Sequence, residues 1–134
     1  VFGGALNSKG TGRETYVTNV KIEGGHIAQV FGGTENNFMT GTTNVHITGG
    51  TITRRIYGGC YENYVQSGTS TVIIDNVNFT ATAPLLERNF AISSRSYGNT
   101  TGTGTLKIST QELYNTLKTY IQNNTEVYVN DVKQ

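Results

Sequence analysis

The sequence predicts an all-β fold: a right-handed parallel β-helix of about four to five short coils, closed at its C-terminal end by a helix and a strand. Three observations predict it. Residues 18–27 (TNVKIEGGHI) recur as residues 43–52 (TNVHITGGTI), with seven of ten positions identical and no gap. Each copy is followed a few residues later by a second signature, VFGG at 30–33 and IYGG at 56–59. Within each copy apolar and polar residues alternate, which is the two-residue period of a half-buried strand. Equivalent rather than mirror-related positions carry the same residues, as expected of one unit stacked in parallel on copies of itself.

The chain opens on the closing signature of a unit, since residues 1–4 repeat residues 30–33, so preceding repeats of the same polypeptide are expected. Residues 5–15 are polar and glycine-rich and read as a surface loop. In the first full unit Val20 and Ile22 point inward, Gly24-Gly25 bends the chain, Ile27 is the next inward position, and Val30-Phe31 leads into a second Gly-Gly turn. Residues 34–42 read as another loop. The second unit puts Val45, Ile47, Ile52 and Ile56 in the matching places. A third begins at 70–79 (STVIIDNVNF), with Asp75-Asn76 replacing one turn and Phe79 taking the column of Ile27 and Ile52. Its last side is less regular, and Ala91 is expected beside Val30 and Ile56. Residues 104–108 (GTLKI) read as a degraded fourth copy.

These assignments give inward columns Val20–Val45–Val72–Leu106 and Ile22–Ile47–Ile74–Ile108. Parallel strands lie about 4.8 Å apart, so four to five units make a rod of roughly 20 Å. Gly-Gly between apolar runs is also a hairpin signal, and an antiparallel β-sandwich is the alternative architecture.

Residues 1–108 are thus read as repeats and 109–134 as a C-terminal cap. Leu113, Tyr114, Leu117, Tyr120 and Ile121 fall on one face of a helix over about 110–123. Residues 109–112 (STQE) match a capping box, and Asn123-Asn124 is a stop. Val127 to Val129 read as a last strand, over about 126–130. Helix and strand together would cover backbone groups that otherwise offer an open pairing edge.

Composition excludes more than it selects. Charged residues are 14% of the chain and the net charge is +1, which gives no electrostatic reason to expect nucleic acid or an anionic membrane. No apolar run approaches a membrane span and no stretch reads as a signal peptide, so membrane insertion is not expected. The single cysteine, Cys60, permits no intramolecular disulfide.

No catalytic, metal or cofactor site is expected. His26 and His46 stand at non-equivalent positions, with no acid or second histidine read as joining either. His46 shares an outward column with Lys21, Ile73 and Lys107. Cys60 lacks a recognisable base pattern and reads as a small thiol packed near a turn. Glu23 and Asp75 occupy near-equivalent positions two coils apart, with Thr48 between them. At about 9.6 Å that is the upper limit for an inverting carboxylate pair, and turn acids are ordinary. The candidate ligand-binding residues are Tyr61 and Tyr64, with Arg54 and Arg55. Aromatic rings near a surface suit sugars, and Arg54-Arg55 is the only basic doublet, fit for an anionic sugar or for a solvated face. Phe31 and Tyr57 are expected to stack as a ladder.

The units T-N-V-x-I-x-G-G-x-I followed by [VI]-[FY]-G-G resemble the glycine-rich repeats of large bacterial surface or secreted proteins, over about residues 1–80. That resemblance implies adhesin-like β-helical stalks, an extracellular or cell-surface setting, and a non-catalytic structural or adhesive role. Host or cell-wall glycans or surface proteins are the partners it implies. The reading from another class is a fragment of a β-helical polysaccharide lyase or glycoside hydrolase, which would need acids clustered on one face of adjacent coils.

Overall fold

The computed structural model describes residues 1–3, 15–34, 39–61, 66–79, 91–93, 103–122 and 125–134. Among the described residues the chain is all-β apart from one short helix and a 3-10 turn. Its elements are β1 (Thr15–Ile22), β2 (His26–Phe31), β3 (Met39–Tyr57), β4 (Gln66–Phe79), β5 (Ala91–Ser93), β6 (Thr103–Ile108), α1 (Gln111–Leu117), a 3-10 turn (Lys118–Tyr120), β7 (Glu126–Val129) and β8 (Val132–Lys133).

Parallel pairing dominates. One sheet runs in the order β1-β3-β4-β6-β7-β8, while β2 and β5 flank the second half of β3. Val20 lies opposite Val45, Val45 opposite Val72, Val72 opposite Leu106, and Leu106 opposite Val127. Ile22, Ile47, Ile74, Ile108 and Val129 form the neighbouring column in the same way. Both expected columns are present, and each gains a fifth member from β7. Among the described residues antiparallel pairing joins only β7 to β8, so the hairpin ladders of a β-sandwich are not what holds these strands.

Inward alternation makes these columns the core. Val45, Ile47, Ile52, Ile56, Val72, Ile74 and Leu106 are all essentially excluded from solvent. Each such side chain contributes about 1.5–3 kcal/mol through burial. At the C-terminal end Leu113 and Leu117 pack onto this core, with Tyr114, Tyr120 and Ile121 partly buried against it.

β3 turns a corner within its own length. Its first half pairs with β1 and β4, its second with β2 and β5. The bend is at Gly50, whose φ of +88° belongs to the left-handed region, and Gly25 makes the same bend one unit earlier at +92°. The Thr51 amide donates to the Gly25 carbonyl at 2.8 Å, so strand pairing continues through the turn. A side chain at Gly50 would also meet the Gly24 backbone, with its Cβ 2.9 Å from the carbonyl carbon.

Several expectations require correction. Phe79 lies opposite Gly50, not Ile52, because the register shifts after Ile47. Three residues, 75–77, fill the corner where Thr48 alone serves in β3. Ile92, not Ala91, lies opposite Ile56, and Ala91 sits beside Arg55. A one-residue slip moves every side chain to the other face, so the irregular sequence after Phe79 gave no handle on the register. The helix is capped by Thr110, whose Oγ1 accepts from the Leu113 amide at 3.2 Å, rather than by a box centred on Ser109. It ends at Leu117 and tightens into the 3-10 turn instead of running to residue 123. The last strand ends at Val129, because Asn130 and Asp131 take positive φ and return the chain as β8.

Candidate functional site

Three groups of side chains lie along the stack, and the first is aromatic. Phe2, Phe31 and Tyr57 stack face to face, with centroids 5.0 and 5.6 Å apart and rings within 10° and 13° of parallel. The [VI]-[FY]-G-G signature explains why. Its aromatic residue recurs on a parallel ladder, and the glycines after it let successive backbones close up. A Cβ on Gly32 would lie 2.2 Å from the Gly58 carbonyl oxygen, and one on Gly3 would lie 2.4 Å from that of Gly32. The expected Phe31–Tyr57 ladder is therefore present, with both rings buried. Each stacked pair adds about 0.5–1.5 kcal/mol beyond burial.

Tyr61 stands edge-on to this ladder, 5.2 Å from Phe31 and 6.5 Å from Phe2, and is half-buried. The Arg55 guanidinium lies 5.8 Å from the centroid of its ring. The sequence suggested a solvated Arg54-Arg55 ridge or an open sugar-binding one, but Arg55 is only 8% exposed. Its Nη1 donates to Gln29 Oε1 at 3.0 Å, and Gln29 is its strand partner. Arg54 is half-buried beside it. The cause is local: between Ile52 and Ile56 the second unit holds one residue more than the first holds between Ile27 and Val30. The resulting bulge sets Arg55 opposite Gln29. Structure thus brings Tyr61 and Arg55 together, and Tyr64 lies outside the described residues.

On the outer face of the first sheet, Lys21, His46, Ile73 and Lys107 form the expected column, continued by Tyr128. An acid does join His46, contrary to expectation: Asp75 Oδ2 lies 3.6 Å from its Nε2. Asp75 reaches that place from the enlarged corner of β4. Glu23 is engaged elsewhere, 2.7 Å from Lys21 Nζ, and the hydrogen bond from Lys21 holds its carboxyl below the usual range. Thr48 Oγ1 donates to the Ile22 carbonyl at 3.3 Å. Glu23 and Asp75 therefore each have partners of their own. Among the described residues no three or more His, Cys, Asp or Glu side chains converge as a metal cluster would require.

Cys60 is fully buried. Thr34 approaches its sulfur through both the backbone amide, at 3.4 Å, and Oγ1, at 3.5 Å. Comparison with models of known protein families, with curated proteins and with solved structures found no match.

Sequence reasoning missed the roles of the Thr and Asn in T-N-V. Thr18 Oγ1 donates to the Gly32 carbonyl, and Thr43 Oγ1 to the Gly58 carbonyl, tying the first strand of each unit to its Gly-Gly signature. Asn44 Nδ2 donates to Asn19 Oδ1 at 3.1 Å, a single amide pair between adjacent strands, since Thr71 takes the next position. The signal was visible, since both letters recur at fixed spacing. Among the described residues no helix is long and apolar enough to cross a membrane.

Proposed function

We propose that this chain is a right-handed parallel β-helical solenoid segment of a bacterial surface or secreted repeat protein. In this reading it is a non-catalytic spacer or adhesive module, with glycans or surface proteins as its partners. One observation carries the reading: the T-N-V units stack in parallel and in register, with every recurrent letter given to a column, a ladder or a bend. The apolar letters fill the core, Thr and Asn bond along the stack, and the glycines either bend the chain, as at Gly25 and Gly50, or make room for the next backbone, as at Gly3 and Gly32. This leaves the recurrent part of the sequence to scaffolding. The resemblance of the same units to repeats of bacterial surface proteins supports the extracellular setting.

Half-buried Tyr61, held between the aromatic ladder and Arg55, is the surface aromatic best placed to meet a sugar ring. A glycan-array screen paired with turnover assays on acidic polysaccharides tests the proposal. The expected result is binding without cleavage, reduced in a Tyr61→Ala variant that keeps its strand-rich circular dichroism. Cleavage abolished by Asp75→Asn or Glu23→Gln would overturn it in favour of a lyase or hydrolase fragment.

A further inference from the structure

The two ends of the stack differ. At the C-terminal end α1 packs on the core and β8 closes the edge of β7 in antiparallel fashion. At the other end β1 is the first strand of its sheet, and among the described residues nothing pairs with its outer edge. Burial falls off there. Val20 and Ile22 are 8% and 7% exposed where Val45 and Ile47 are 1% and 0%, and Ile27 is only partly buried where Ile52 is fully so.

The second wall already carries the start of one more unit at this end. Phe2 bridges to Phe31 in parallel. The Gly3 amide donates to the Phe31 carbonyl at 2.9 Å, just as the Gly32 amide donates to the Tyr57 carbonyl at 3.0 Å. Ring stacking and the tight glycine approach repeat as well. Residues 1–3 therefore continue the internal interface of the stack on this wall without a change of geometry.

We propose that the outer edge of β1, together with Phe2, is a docking surface for one further repeat of the same kind. That repeat enters as a parallel strand of V-x-I pattern, continuous with the aromatic-Gly-Gly at residues 2–4. Its apolar side chains extend the Val20 and Ile22 columns, and its backbone pairs with the outer edge of β1. The inference rests on the stacked-scaffold reading given above.

The test completes the unit. A copy of residues 15–29 is placed ahead of Val1 in the full chain, which restores one whole repeat ending on VFGG. A control carries the same addition with the copies of Val20 and Ile22 changed to Lys. Backbone hydrogen exchange, thermal melting and light scattering are then compared across the three proteins. The expected result is a monomer in which alternate amides of β1 exchange at least about tenfold more slowly and melting rises, with neither change in the Lys control. Unchanged β1 exchange in a protein whose β3 and β4 amides are protected overturns the docking surface alone. Unprotected β3 and β4 amides in the unextended chain overturn the scaffold reading instead. A dimeric unextended chain with β1 already protected also overturns the proposal, because a second copy would then hold the edge.

Discussion

Thr43 Oγ1 donates a hydrogen bond to the Gly58 carbonyl, across fifteen residues of sequence and inside the core. Thr18 and Gly32 repeat the contact one unit earlier. A buried carbonyl that loses its donor keeps its desolvation cost, so Thr43→Val, which preserves shape, is expected to destabilise by about 1–3 kcal/mol. Urea unfolding followed by circular dichroism measures this. A loss below about 0.5 kcal/mol would make the pair incidental.

Glycines of the two Gly-Gly signatures are predicted to respond differently to alanine. Gly32→Ala drives a methyl into the Gly58 carbonyl and is expected to cost about 1–3 kcal/mol or more, since neither backbone can yield without breaking pairing. Gly24→Ala meets nothing within 4 Å and is expected to change stability by no more than about 0.5 kcal/mol. Equal effects at the two positions would contradict the close approach of the stacked turns.

Arg55 is predicted to act on stability before it acts on any ligand. Arg55→Ala removes the bond to Gln29 and the charge over Tyr61, with an expected cost of about 1–3 kcal/mol. Tyr61→Ala should cost less and show chiefly in the glycan screen. A melting temperature unchanged by Arg55→Ala would return that side chain to the solvated ridge.

Cys60 should resist thiol reagents in the native protein and react at once in denaturant, because its sulfur is buried beneath Thr34. The labelling rate then reports opening of the stack. Rapid native labelling by an Ellman-type disulfide reagent would show that this turn opens freely.

Glu126 and Lys133 pair across the final hairpin, each on the surface. The lysine hydrogen bond holds the Glu126 carboxyl below its usual range, and the carboxylate raises the Lys133 ammonium. For the acid the folded value is depressed, so its contribution is present above the unfolded value and is lost as pH falls through the folded one. An NMR titration of the Glu126 carboxyl should therefore give a midpoint below the ordinary range, rising towards it in Lys133→Met. No rise in that variant would mean the pair does not form in solution.

The first sheet was legible because its inward positions are marked by an aliphatic-x-Ile pattern, V-x-I in three units and L-x-I at Leu106. The second wall was not. The place expected for Phe79 follows from counting on units of equal length, and the enlarged corner at 75–77 shifts that count. Ala91 falls in the irregular stretch, where a slip of one residue separates it from Ile92, the true partner of Ile56. Burial of Arg55 was hidden because an arginine doublet ordinarily stays in water, and only the strand partner Gln29 explains it. The His46–Asp75 contact depends on where the enlarged corner lands, which no spacing rule supplies. Thr34 meets Cys60 outside the repeated positions, so nothing in the pattern announced it.

Along the Val20 column successive members are separated by 25, 27, 34 and 21 residues, yet each faces the next. The bulge opposite Gln29 absorbs a single residue in the same manner on the other wall. Loop length and corner size are thus decoupled from alignment. Such an array behaves like a vernier whose graduations may be unequal while its marks still coincide. Genetic drift in the linkers, or unequal crossing-over between units, can change chain length without disturbing the interior.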